Sequence, residues 1–379
     1  MKEAVAGTRQ KDVNNIIIVR TDHIGDAVMT IPLIRETRKV FPKAVIDLIL
    51  AEGVAPLFQG CPYVDRIIPI KTRVWRRADS IHQVLRMWRL RRCLFSDRHP
   101  DLVLSPRRGP EADGTALAVW ATGGKVRVGY RKGFKARPLS ALIHDWCFTT
   151  LIDPAPPEHE VCANLRLLEM FGADRGGCDD SLEFWIRSES EDYTATLLAN
   201  AGVEAQEEFI VMAPGAASGG RNMWPVERFA AVALSIYQRK NIRTVLVGSP
   251  GERALANDIE AQAGAAVVNM CGHTSLLALA AILARAVLLV GNDSGAGHIA
   301  AALGKPTVTI SSFPIDGDPG HPNSVLRFRP YGRGALVIQP RWPAAETCVN
   351  GCSMKEAHCI LDVSIERVVT LIHRALDKP

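Results

Sequence analysis

The stretch GNDSGAGHIAAALG (291–304) follows directly on the apolar run Val287–Val290. A hydrophobic strand that stops at Gly/Asp/Ser and becomes an alanine-rich helix aims backbone N–H groups at one point. That arrangement holds an anionic group. Here Asp293 can accept hydrogen bonds from hydroxyls, while Ser294 and Gly295 can donate to a diphosphate. His298, one turn in, can donate to a phosphate or be a buried structural histidine. A second such junction is RTDHIGDAVMTIP (20–32), after the opening strand NIIIVR. Gly25 permits a tight turn close to a ligand, and Asp26 falls at or near a helix start. A carboxylate there either caps the helix or accepts a proton from a hydroxyl nucleophile.

Two further junctions carry polar chemistry. In APGAASGGRNMWPVERF (213–229) a strand ends at Pro214-Gly215, and a loop of small residues leads to Arg221 and Asn222. Small residues with one cation suit a phosphate, although Pro225 is also simply a good helix starter. In LVGSPGERALANDI (246–259), Glu252 opens a helix and can meet ribose hydroxyls or complement the helix dipole. The pattern G-x-G-x-x-A at Gly295, Gly297 and Ala300, with Asp316 farther on, also fits a dinucleotide fingerprint. It follows the fourth strand of its domain rather than the first, which counts against that rival. Of nine cysteines, Cys348, Cys352 and Cys359 cluster, with His358 beside them. Their spacing is not the usual C-x2-C pair, so free thiols in a loop are expected in preference to structural zinc.

The elements needed to position these residues are legible in outline. NIIIVR (15–20), AVIDLIL (44–50), VDRIIPI (64–70) and DLVLSP (101–106) read as strands, with a helix over 26–40 and another near 160–171. The rhythm restarts with strands at 208–215, 243–250, 266–272, 286–293 and 306–312. Alternation of this kind predicts two α/β domains with parallel, doubly wound sheets, divided within 172–207. The Pro/Gly-rich region 313–346 reads as loops, and Ser364–Leu376 as a final helix capped by Ser364. A chain of 379 residues fits two cores. No apolar run of membrane-spanning length and no secretory leader are evident, so a cytoplasmic location is expected.

The net charge of +5 is unevenly spread. Residues 71–98 hold Arg86, Arg89, Arg91 and Arg92 among other cations, against only Asp79 and Asp97. Residues 125–137 are basic with no acid. Trp75, Met87 and Trp88 among the arginines suit an anionic membrane surface or a phosphorylated glycan better than nucleic acid, for which no recognition motif is present.

Taken in order, R-x-D-x-I-G-D-A-V-x-T-I-P, PGA…WPVERFA and GNDSGAGHIAAALGKPTV resemble glycosyltransferase family 9, the ADP-heptose:lipopolysaccharide heptosyltransferases. The resemblance runs over roughly 15–375. It implies an α/β GT-B fold of two Rossmann-like domains facing across a cleft. An acceptor domain would span 1–178 and a nucleotide-sugar domain 179–361, with a terminal helix, 362–379, packing back on the first. It further implies that Asp26 is the general base and that Glu252 meets the nucleotide ribose. Asp293 would contact the donor sugar, and Ser294, Gly295 and His298 would surround the diphosphate. Gly25 and Gly215 would belong to phosphate or acceptor loops. The family's lysine, two residues before Trp-Pro, is here Asn222, so Arg221 is expected to take its part. The implied reaction is single displacement with inversion, without metal or cofactor. The expected partners are a nucleotide-sugar donor and an anionic lipid-linked glycan, with peripheral contact to the inner membrane through Arg86, Arg89, Arg91 and Arg92. Alternatives are a transferase for another nucleotide-sugar, an NAD-dependent oxidoreductase, and a non-catalytic nucleotide-sugar-binding protein.

Overall fold

The computed structural model describes residues 13–71, 85, 88–89, 91–92, 99–108, 114–132, 138–153, 156–216, 219–321, 323–349 and 354–377. The chain divides into two compact units, Met1–Asp180 and Ser181–Pro379. Among the described residues no helix is long and apolar enough to cross a membrane.

The first unit contains β1 (Asn15–Arg20), β2 (Val45–Ala51), β3 (Arg66–Ile70), β4 (Leu102–Leu104), β5 (Val126–Tyr130) and β6 (Thr150–Ile152). They pair in parallel in the order β3-β2-β1-β4-β5-β6. A parallel sheet covered on both faces needs strands that are apolar along their whole length. Ile16–Val19 and Leu48–Leu50 meet that demand and are buried. The helix expected over 26–40 is two helices, Ile24–Val28 and Ile31–Val40. Pro32 sits in the first turn of the second, where a missing N–H costs nothing. The segment expected as a helix near 160–171 is an α-helix, Glu160–Leu165, tightening to a 3-10 helix, Arg166–Phe171.

The second unit contains β7 (Phe209–Ala213), β8 (Arg243–Leu246), β9 (Val267–Asn269), β10 (Leu288–Asn292), β11 (Thr307–Ile310) and β12 (Ala335–Ile338). Their order, β12-β11-β10-β7-β8-β9, repeats that of the first sheet, again with parallel pairing. β12 lies inside the region read as loops. Helix Val226–Lys240 buries Phe229, Val232 and Ile236 against Ile210, Met212 and Leu246. The terminal helix Ile365–Leu376 begins at Ser364, whose hydroxyl accepts the Arg367 amide at 3.4 Å. Its apolar face, Val368, Val369, Ile372 and Ala375, joins this same core. Within the second unit this face packs on helix Val226–Lys240 and on strands β10, β11 and β12.

In both sheets the strand order reverses between the first and fourth strands of the unit. Ligands of open α/β sheets gather at the carboxyl ends of the strands at such switch points. In the first unit those ends are the segments after β1 and β4, and in the second those after β7 and β10.

Candidate functional site

At the end of β1 the backbone turns through Thr21–His23 into helix Ile24–Val28. Arg20 is 2% exposed and donates through Nε to Asp22 Oδ1 at 2.7 Å and through Nη2 to Asp26 Oδ1 at 2.8 Å. From the end of β4, Arg107 Nη1 donates to Asp22 Oδ2 at 2.9 Å, so Asp22 bridges the switch point. Burial alone disfavours the Arg20 charge, but Asp22, Asp26 and Glu160 outweigh it and hold the guanidinium pKa above its ordinary value. Asp26 is therefore not the helix cap. His23 occupies the cap position without a side-chain bond, and Asp26 lies in the first turn. Its Oδ1 is fixed by Arg20, and Oδ2 has no hydrogen-bond partner among the described residues. Gly25, expected in the turn, is helical and buried, its carbonyl accepting the Met29 amide at 2.9 Å.

At the second switch point, β10 ends in Asn292, which is 2% exposed. Its Nδ2 donates to the Pro214 carbonyl at 2.6 Å, and its Oδ1 accepts the Trp224 amide at 3.1 Å. One amide side chain thus ties the loop after β7 to the carboxyl end of β10. Asp293 follows, half-buried, its amide bonded to the Ile310 carbonyl at 3.2 Å. Ser294 is the extended N-cap of helix Gly295–Ala302. The first amides of such a helix have no partner within it and carry the positive end of its dipole. His298 is buried at 5% exposure in the helix interior.

Glu252 stands between the ends of β7 and β8. Its Oε2 accepts the Ser249 amide at 2.6 Å and the Ser249 hydroxyl at 2.8 Å, forming a capping box. A Cβ placed on Gly215 would lie 1.6 Å from Glu252 Oε1, and one on Gly248 3.0 Å from Oε2. This carboxylate approaches Gly215 most closely, whereas a Cβ on Gly248 would first meet Cys271 Sγ at 2.7 Å. Beside them, burial and then Glu252 push the Cys271 thiol up to about 11, with Arg253 opposing.

Arg221 and Asn222 form the 3-10 turn Gly220–Asn222, entered through Gly219 at φ 73°. Ser312, after β11, donates to Asn222 Oδ1 at 2.6 Å. Arg221, Asn222 and Phe313 line a small recess whose other wall includes Cys348, His358 and Cys359. The ligand-capable atoms of those last three lie within 4.8 Å of one another. Cys352 and Arg86 lie outside the described residues. Of the expected basic surface, Arg89 and Arg92 are exposed, whereas the Arg91 guanidinium packs 3.1 Å from where a Gly123 Cβ would stand.

The expected residues thus fall into two groups. Asp26 and Gly25 belong to the first unit; Gly215, Arg221, Asn222, Glu252, Asp293, Ser294, Gly295 and His298 follow strands of the second. Sequence reading passed over Arg20, Asp22, Arg107 and Asn292. The first two were visible as an Arg and two carboxylates at i, i+2 and i+6 around one strand end. Arg107 is distant in sequence and gave no local sign.

Comparison with known proteins gives the family of the chain. The sequence model described as glycosyltransferase family 9 (heptosyltransferase) matches residues 112–358. Lipopolysaccharide heptosyltransferase 1 of Pseudomonas aeruginosa is 25% identical over 343 residues, covering 89% of this chain and 87% of that protein. Among solved structures, a family 9 glycosyltransferase from Veillonella parvula superposes with TM-score 0.77 at 20% identity, covering 97% of this chain and 98% of that one. The Escherichia coli heptosyltransferase WaaC with ADP-2-deoxy-2-fluoro heptose gives TM-score 0.66 at 21% identity, with 95% and 99% covered. Two doubly wound units with the same strand order, and a family match over most of the chain, make this protein a glycosyltransferase of the GT-B class that belongs to glycosyltransferase family 9.

Proposed function

We propose that this chain transfers heptose from ADP-heptose to a lipid-linked lipopolysaccharide core, with inversion at the anomeric carbon. The observation that carries the reading is the state of Asp26, fixed through Oδ1 by buried Arg20 with Oδ2 left to accept a proton. In the proposed step the acceptor hydroxyl gives its proton to Asp26 Oδ2 as its oxygen bonds to the anomeric carbon. The bond from that carbon to the diphosphate breaks on the opposite face, and ADP leaves with the electron pair. The amides of Ser294 and Gly295, with Arg221, offset the developing charge, so the transfer needs no metal at the diphosphate. Asp293 accepts from donor-sugar hydroxyls. Glu252 Oε1, the oxygen not used by Ser249, is the one offered to the ribose.

The donor is supported by the named substrate analogue in WaaC and the acceptor by the relatives' names. A phosphorylated lipid acceptor would put the reaction at the cytoplasmic face of the inner membrane, with the chain bound peripherally. Exposed Arg89 and Arg92, beside exposed Leu85 and Trp88, favour that location.

The test pairs the parent protein with Asp26→Asn. Loss of a general base costs about 10²–10⁴ in rate. The variant should therefore bind ADP-heptose with unchanged affinity by calorimetry while kcat onto a heptose-free core falls by that factor. A variant that retains full kcat removes Asp26 as base. Failure of the parent to bind ADP-heptose, with another nucleotide-sugar raising its melting temperature, would overturn the donor assignment.

A further inference from the structure

We infer that Cys348, His358 and Cys359 form a binding site for a soft divalent cation, zinc or ferrous iron, that clamps two turns beside the Arg221 loop. Cys348 lies in the 3-10 turn Glu346–Val349, and Cys359 opens the 3-10 turn Cys359–Asp362. Both thiols are free and buried, each 4% exposed. Cys348 Sγ stands 3.3 Å from His358 Nε2, and all three ligand atoms lie within 4.8 Å of one another. Tetrahedral zinc, with bonds of about 2.3 Å to sulfur and about 2.0 Å to nitrogen, spaces neighbouring ligands by roughly 3.5–3.8 Å. The observed cluster therefore closes on an ion with shifts of about an ångström or less.

The surroundings are set for ligation rather than for packing alone. His358 Nδ1 lies 2.9 Å from the Glu356 carbonyl oxygen, which can only accept. Nδ1 therefore carries the proton, and the Nε2 lone pair faces Cys348. Metal-bound histidines are oriented by such an outer hydrogen bond. The Ala344 amide donates to Cys359 Sγ at 3.3 Å, a contact that stabilises a thiolate. Loading releases the two thiol protons, and two thiolates with neutral imidazole leave the site without net charge around a divalent ion.

The clamp has a structural consequence. Between the two ligand-bearing turns lies Lys355, whose carbonyl would sit 2.8 Å from a Gly220 Cβ, so this segment packs directly on the turn that presents Arg221. Past Cys359, the Val363 carbonyl accepts Trp224 Nε1 at 2.8 Å. An ion here fixes one wall of the recess that holds Arg221 and Asn222. The ion takes no part in the transfer step proposed above, and the test of its site does not depend on that step.

The experiment is elemental analysis of full-length protein purified under reducing conditions without a metal-affinity step. The expected result is about one equivalent of zinc or iron per chain, the analysis itself telling the two apart. Cys348→Ser and Cys359→Ser should each lose most of it. His358→Cys should keep it where His358→Gln does not, a rescue that packing alone would not give. Should the serine variants fail to fold, cobalt titration of the chelator-stripped parent replaces them. A thiolate-to-cobalt charge-transfer band with tetrahedral ligand-field bands is expected, and its absence overturns the site. Metal-free parent protein whose Cys348 and Cys359 react freely with a thiol reagent, or are found joined as a disulfide, overturns it equally.

Discussion

At the scale of single residues, each unit holds a carboxylate whose two oxygens do different things. Asp26 gives one oxygen to Arg20, and Glu252 gives one to Ser249. Glu252 also shows why Gly215 follows β7: its Oε1 occupies the space where any other residue would carry its Cβ. Gly215→Ala must push that carboxylate away and break the capping box, costing about 1–3 kcal/mol of charge-assisted hydrogen bonding. Glu252→Ala costs about 1 kcal/mol on its own through the lost cap. Because both act on one contact, the double variant should be less destabilised than the sum of the singles, as urea unfolding would reveal. Strictly additive losses would mean that Gly215 and Glu252 do not meet in solution. Sequence alone left Glu252 open between ribose ligand and first-turn acid. The structure gives it a third part, a cap, which a Ser three residues before a Glu already spells out.

Among the elements, legibility followed the apolar content of the segment around each strand. Strands β1, β7 and β10 are built on unbroken apolar runs, β2 is interrupted only by Asp47, and all four are legible directly. β5 was hidden because Arg127 sits in a five-residue strand within a basic stretch, and β6 because its three residues, only half-buried, include just two apolar side chains. β12 escaped notice for a different reason: four apolar residues among prolines and glycines look like a loop until β11 supplies their partner. Asn292 belongs to this scale too, because its side chain joins elements rather than meeting a ligand. Asn292→Ala would leave the buried Pro214 carbonyl and Trp224 amide without that partner, at about 1–3 kcal/mol for each group. The midpoint of denaturant unfolding should fall accordingly, and nucleotide-sugar affinity should drop with it as the loop after β7 loosens. Unchanged stability would show that water replaces the amide at no cost.

For the whole molecule, the question is how a chain with a net charge of only +5 would find the lipid-linked acceptor proposed for it. Its charge is concentrated in the first unit, and there the arginines are not equivalent. Arg91 is turned onto Gly123 and lowers the pKa of Arg127, after the larger effect of that residue's own burial. Arg89 and Arg92 remain exposed, with Arg92 lying 4.7 Å over the Trp88 ring. A cation stacked on an exposed indole pairs a charge for phosphate with a ring that partitions into the headgroup layer. Helix Pro138–Trp146 of the same unit adds exposed Leu142, Ile143 and Trp146. Near an anionic leaflet each arginine contributes about 1 kcal/mol, so Arg89→Ala with Arg92→Ala should weaken binding to anionic vesicles roughly 10–30-fold. Arg91→Ala should instead show its effect in thermal stability. Vesicles of neutral lipid should bind the parent weakly, and rising salt should erase the difference between parent and double variant. Should the double variant bind anionic vesicles as tightly as the parent, these two arginines would not be what draws the chain to a charged surface. The exposed apolar residues of helix Pro138–Trp146 would then be the next side chains to replace.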